Sequence, residues 1–444
     1  MWGKGARSNP NELDRGSRMK FFKLSIFLSL FISLSTNAIL EVSIVKTKET
    51  AFPIVVAPFD LIGFFEKPVD LAGIIRNNLN RSGQFNAKNI TKKIDGSLDF
   101  DFYKENKQDA IVFGKIRQVS AKVYHGEVYV YDVLTQKPLF RKKIEFTDGG
   151  LRRIAHILSD QIYFSLLGQK GSFDTRLSYV TVTENIGGGK TYRLQISDYD
   201  GYNPQTLVRQ SSPILSPAWS KDQRKLAYVS FKNGRSEVFV KNTRVKTNAI
   251  KLPRFDGIAS SPTWHPSGQS IALTISKNGN KDIYLYDIES KNLTRLTENI
   301  SIDTEASFSP DGNKIAFTSN RTGQVQIYIK DLKSGKISRA TFEGSYNAKP
   351  VFSPDGKDLA LIHRVGKDYR VALLDIASRN LTVLTYNKSD ESPYFSPNGG
   401  MIIYSTNRDN KGILSIISLH NNQVVELMQK EGEVREPSWS NYSN

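Results

Sequence analysis

The chain has 444 residues, of which 39% are hydrophobic and 11% aromatic, with a formal net charge of +17 and no cysteine. That length exceeds one ordinary core, so two or more domains are expected, and the apolar content excludes a disordered chain. The lack of cysteine excludes a disulfide framework, thiol catalysis and a lipid-modified cysteine at a signal cleavage site.

The first apolar run, Leu24–Leu34, is too short for a bilayer-spanning anchor. It follows the basic Met19-Lys20-Phe21-Phe22-Lys23 and precedes the small, polar Ser35-Thr36-Asn37-Ala38. This order describes a secretory signal peptide cleaved after about Ala38. Met1–Arg18 fits none of these regions, and the expectation is that translation begins at Met19. No later apolar run reaches spanning length, so the mature product is expected to be soluble beyond the inner membrane. Residues 1–38 carry six Lys/Arg and two Asp/Glu; removing that +4 from +17 leaves +13. These charges are spread over many turns rather than gathered in a basic patch interleaved with aromatics, which argues against nucleic acid as a partner.

After the signal, Ile39–Val45 reads as a strand or extended arm and Phe52–Pro58 as a buried strand. Asp70 is placed to cap a helix over Leu71–Arg81, with Leu71, Ile74, Ile75 and Leu79 on one stripe and Gly83 at its end. Three β-rich runs follow, Ala110–Val119, Lys122–Leu134 and Pro138–Phe146. Gly149–Leu167 is a second amphipathic helix, carrying Leu151, Ile154, Ala155, Leu158, Ile162 and Leu166 on one face. Together they predict a small α/β domain, a mixed sheet with two helices, over 39–170.

From Leu177 onward a unit of about forty-four residues repeats. An aromatic marks each copy at Trp219, Trp264, Phe308, Phe352, Phe395 and Trp439, at intervals of 45, 44, 44, 43 and 44. Turns such as Ser309-Pro310-Asp311-Gly312 follow it, since Pro presets φ and Gly tolerates positive φ. Several short strands per copy at a fixed period are the mark of propeller blades. The first copy, Leu177–Val208, lacks the aromatic strand, and the last, Glu436–Asn444, has only that strand. Joined, they make one blade and close six blades into a ring without free edges. The expected division is an N-terminal extension and signal peptide over 1–38, the α/β domain over 39–170 and an all-β six-bladed propeller over 171–444, closed by the C-terminal strand.

No catalytic constellation emerges. The histidines His125, His156, His265, His363 and His420 lack metal-like spacing, there is no Gly-x-Ser-x-Gly elbow, and no cofactor or metal is expected. Gly187-Gly188-Gly189-Lys190 lacks phosphate-loop spacing and precedes a strand-like run, so it reads as a widened hairpin. The turn aspartates read as turn-formers. At the opposite end of the ring, the loops Arg254–Ser261, Glu298–Thr304, Glu343–Lys349, Asn387–Ser392 and Glu431–Arg435 converge on the central channel with mixed charge. A funnel with such a rim suits protein or peptide binding without catalysis. The alternative is a propeller enzyme or glycan-binding protein acting on envelope material.

Ser197-Asp198-Tyr199-Asp200-Gly201-Tyr202-Asn203, then Ser216-Pro217-Ala218-Trp219-Ser220, and the terminal Pro437-Ser438-Trp439-Ser440 resemble the TolB family of the Tol–Pal system. The resemblance runs from Glu41 to Trp439 and implies a non-enzymatic periplasmic interaction protein supporting outer-membrane integrity and constriction during division. It further implies that the funnel binds the peptidoglycan-associated lipoprotein Pal, a surface some colicins exploit. Thr304-Glu305 matches a Pal-facing family position and Arg254 lies in a Pro-Arg-x-x-Gly stretch like the family's; with the rim residues Lys349 and Glu391 they make up the expected Pal-binding funnel. The arm, with Glu41, Val42, Ile44 and Val45 in a Glu-Val-x-Ile-Val pattern, is implied to communicate with TolA. An arm with alternating apolar residues can pair with its own protein or with another, so funnel occupancy can shift its population.

Overall fold

A computed structural model describes residues 51–63, 70–89, 98–121, 123–147, 150–427 and 432–442, all within one compact unit. The signal peptide and the arm lie outside the described residues. Among the described residues no helix is long and apolar enough to cross a membrane.

The N-terminal domain is a mixed sheet of β1 (Phe52–Val56), β2 (Asp60–Ile62), β3 (Phe85–Lys88), β4 (Ala110–Ser120), β5 (Val123–Asp132) and β6 (Pro138–Thr147). Its order is β3-β1-β4-β5-β6, with β2 also on β4. The strands around β1 run parallel, while β4, β5 and β6 form an antiparallel meander. Helix α1 (Leu71–Arg81) starts at Asp70, whose Oδ1 accepts from Gly73 N at 2.8 Å, and Gly83 follows its end at φ 75°. A short helix α2 (Phe100–Glu105) comes next, and α3 (Gly150–Leu167) is the second long one. The stripes Leu71, Ile75, Leu79 and Ile154, Leu158, Ile162 bury against Ile54, Val56, Val112 and Val130. Alternation sends Val55 and Ile111 to the opposite face, where they meet Tyr103 of α2. The two helices expected from the sequence are therefore present; α2, β2 and β3 are additions.

Six four-stranded antiparallel sheets follow. Blades 1 to 5 begin at Ile214, Ile258, Asp303, Asn347 and Glu391. Blade 6 joins the last strand, Glu433–Trp439, to Arg176–Glu184, Lys190–Asp198 and Gln205–Gln210. Trp439 stands opposite Leu177 in that pairing, and the Ser440 hydroxyl accepts from Arg176 N at 2.9 Å. The ring is closed by chain ends far apart in sequence, as the complementary fragments predict. The glycine run forms the 185–189 hairpin between two blade 6 strands, with Asn185 N donating to Gly189 O at 3.0 Å. In the turn of blade 3 the Asp311 carboxylate accepts from the Ser309 hydroxyl at 2.5 Å and from Asn313 N at 3.0 Å. Those donors, the hydroxyl first, hold its pKa down to about 2.

One apolar core runs from the α/β domain into the propeller, taking in Leu177, Tyr199, Ile403, Leu414 and Trp439. Beside it lies a buried polar joint. Tyr199 donates its hydroxyl to Asn78 Oδ1 at 2.6 Å and accepts from Arg81 Nη1 at 3.0 Å. The Asn78 amide donates to Ser159 Oγ at 2.8 Å and lies 3.1 Å from His156 Nδ1. With that amide donating, the proton of the neutral imidazole sits on Nε2, which faces Asp200 Oδ2 at 3.9 Å. Arg152 ion-pairs with Asp200 and lies 3.8 Å from Asp198, its guanidinium 3.5 Å over the Tyr202 ring.

Candidate functional site

All six first strands line a central cavity, and each is broken by a bulge at the same place, three residues before the marker aromatic. The bulge residues are Ser216, Ser261, Glu305, Lys349, Ser392 and Glu436, with φ of 51°, 47°, 56°, 52°, 53° and 52°. Five precede proline (Pro217, Pro262, Pro350, Pro393 and Pro437), where the ladder loses no donor because proline has none. A non-glycine residue in the left-handed region costs on the order of 1–3 kcal/mol, so the ring carries the same strain six times. What it gains is aim, since a bulge turns the side chain out of the ladder. Here all six side chains line the channel mouth.

Three of the six tie one blade to the next. Glu305 Oε2 accepts from Thr318 Oγ1 at 3.0 Å within blade 3 and from Lys349 N of blade 4 at 3.2 Å. Lys349 Nζ donates to Ser392 Oγ of blade 5 at 3.2 Å. Glu436 of blade 6 accepts from Ser216 N of blade 1. The confined mouth desolvates the Glu436 carboxyl and raises its pKa; Lys349, Ser216 N and Arg435 pull it down, and Glu391 adds to the rise.

Below the mouth the marker aromatics wall the channel's waist. Trp264 Nε1 donates to Ala218 O at 3.1 Å and Trp219 Nε1 to Ser438 O at 3.3 Å, each in the preceding blade. Trp439 Nε1 donates to Thr175 Oγ1 at 2.8 Å. These residues therefore join packing to inter-blade hydrogen bonding.

The sequence-derived rim residues fall into three groups. Glu305 and Lys349 meet at the mouth, inside strands rather than in the loops ahead of them. Thr304 pairs with Thr318 directly before the bulge, its Oγ1 3.3 Å from Thr274 Oγ1, and Glu391 opens the first strand of blade 5. Arg254 stands apart, in a side cleft with Phe255, Asp256 and Glu237 rather than on the channel wall. Ser261 ends a loop expected to converge on the channel, whereas Ser216 was not among the expected positions, although it stands three places before Trp219 as Ser261 stands before Trp264.

Among the described residues one histidine–carboxylate group has donor atoms within 4.8 Å of one another, His156 with Asp198 and Asp200. Arg152 already neutralises it, and the Nε2 proton of His156 points into it. A cation would have to displace the first and remove the second, so the group belongs to the interdomain joint.

Residues 163–443 match the TolB beta propeller domain and residues 40–139 the TolB amino-terminal domain. The Tol-Pal system protein TolB of Ruthia magnifica subsp. Calyptogena magnifica is 57% identical over 419 residues, covering 94% of this chain and 99% of the relative. That of Alcanivorax borkumensis is 41% identical, covering 94% and 97%. The crystal structure of TolB from Acinetobacter baumannii aligns with a TM-score of 0.81 at 36% identity, covering 88% of this chain and 97% of that one.

Proposed function

Because this chain belongs to the TolB family of the Tol–Pal system of the cell envelope, we propose that it is a non-enzymatic periplasmic scaffold whose funnel binds the lipoprotein Pal. The observation that carries the reading is the ring of six bulged residues aimed into one mouth. Its charged members are tied to neighbouring blades, which suits a preformed recognition surface better than a reacting group. Thr304, Glu305, Lys349 and Glu391 form the part of the surface nearest the channel, and Arg254 an outlying contact. The arm, with Glu41, Val42, Ile44 and Val45, engages TolA, and occupancy of the funnel shifts its availability. This places the protein in outer-membrane integrity and in constriction at division.

A pull-down from a detergent-treated envelope extract with the full chain tests the funnel. Pal is expected among the recovered proteins and is expected to be lost with Thr304→Arg; recovery undiminished by that substitution would move the site elsewhere. For the arm, deletion of residues 39–46 is expected to abolish TolA binding and to alter Pal affinity. If both stay as they were, the switch is wrong.

A further inference from the structure

Five residues before each marker aromatic, in the first strand or, in blade 5, at the residue just ahead of it, a side chain is buried behind the mouth. In blades 1, 2 and 6 it is apolar: Ile214, Ala259 and Val434. In three consecutive blades it is polar and fully buried: Asp303, Asn347 and Asp390. Packing does not demand this, since an aliphatic side chain closes the same position elsewhere in the ring. Nor is a buried ion pair a good source of stability, because desolvation offsets most of the attraction.

Of the three, Asp303 of blade 3 is held by an ion pair. Arg321 Nη2 reaches both carboxylate oxygens of Asp303, at 2.9 and 2.8 Å, and its Nε donates to Ser319 Oγ at 3.0 Å. The guanidinium lies 5.1 Å from the Phe317 ring centre and 4.8 Å from that of Tyr328, which fixes its plane. Arg321 belongs to the hairpin 320–325, and Asn320 Oδ1 of the same hairpin accepts from Ile302 N at 2.9 Å. The hairpin thus grips the chain at the two residues before Thr304 and Glu305.

We propose that the Asp303–Arg321 ion pair is the positioning device of the funnel, holding Thr304 in its pairing with Thr318 and Glu305 in its place at the mouth, where the bound partner meets them. This rests on the reading of the funnel as the Pal site. The pair itself does not touch the partner; it acts through the two residues that follow Asp303. Its effect on binding is therefore coupled to theirs, whereas a purely structural role is not.

The test is a double-mutant cycle on the full chain, titrating the soluble domain of Pal calorimetrically. Asp303→Asn and Arg321→Gln are each expected to weaken binding about tenfold. In a Glu305→Ala background, which has already lost the positioned group, either substitution is expected to cost less than about threefold. Two variants attacking the pair from opposite sides keep the test open if one fails to fold, and melting curves show which molecules are intact. Folded variants that bind as tightly as the unsubstituted chain overturn the positioning role. Losses that simply multiply with that of Glu305→Ala overturn it as well. If the unsubstituted chain does not bind Pal, the reading of the funnel fails, and this inference fails with it.

Discussion

His156 and Asp160 lie one turn apart on α3 and titrate in opposite senses over the same acid range. Burial drives the imidazole down to about 4, with Arg152 and Arg81 adding to the fall and Asp200 opposing it. Burial also drives the Asp160 carboxyl up to about 6, against the pull of the Phe173 and Asp174 amides that donate to it. The folded state then binds fewer protons than the unfolded at His156 between 6.5 and about 4, so that contribution is complete above 6.5 and is lost as pH falls. At Asp160 the folded state keeps a proton up to about 6 that the unfolded chain releases near 3.8, so stability there is lost as pH rises. The two slopes nearly cancel. Asp160→Asn is expected to make the protein lose stability on acidification from 6.5 to 4, and His156→Gln to make it gain, relative to the unsubstituted chain. Urea midpoints across that range measure both, and parallel curves for all three proteins would refute the pairing. Tyr199→Phe is a sharper probe of the same joint. It strands the Asn78 carbonyl and an Arg81 N–H in a buried site and is expected to cost about 1–3 kcal/mol by denaturant titration.

At the level of the element, the first strand of each blade decides both the ring and its mouth. Trp439 packs its indole against Tyr199 at a ring separation of 6.3 Å and is 1% exposed. Trp439→Ala is expected to cost about 3–5 kcal/mol, and removal of residues 437–444 to destabilise the entire propeller. A truncated protein that melts like the full chain would refute ring closure. The bulge makes a smaller prediction. Ser261→Gly relieves a positive φ and is expected to change stability by no more than about 1 kcal/mol, while Ser261→Val, β-branched at the same φ, is expected to destabilise by more than that. Much at this scale was legible beforehand. The spacing of Trp219 to Trp439 located every first strand, and Asp70 with its apolar stripe located α1. The missed elements were short: α2 has six residues, β3 four and β2 three. None is long enough to show a period, and each owes its place to partners elsewhere in the chain. The bulge was also hidden, because nothing in a Ser-Pro or Lys-Pro pair alone announces a left-handed residue that only a closed ring makes useful.

At the scale of the molecule, the joint between domains was the least legible feature. Ser197–Asn203 stands out as a family signature, yet its role emerges only when Tyr199 meets Arg81, 118 residues away, and Asn78 meets His156, 78 residues away. The closing strand unites three features. It carries Glu436 at the mouth, Trp439 at the waist and, through the Tyr199 contact, a link to α1. The mouth itself is locally acidic, with Glu305, Glu391 and Glu436 against Lys349 and Arg435, in a chain of net charge +17. Under the proposed function, Pal binds at this mouth. The most direct measurement is an equilibrium titration of the soluble Pal domain into the full chain and into its Thr304→Arg variant, with melting temperatures taken alongside. One-to-one binding by the unsubstituted chain, weakened at least about tenfold by the substitution at unchanged melting temperature, is the predicted result. Equal affinity of the two proteins for Pal would contradict the account.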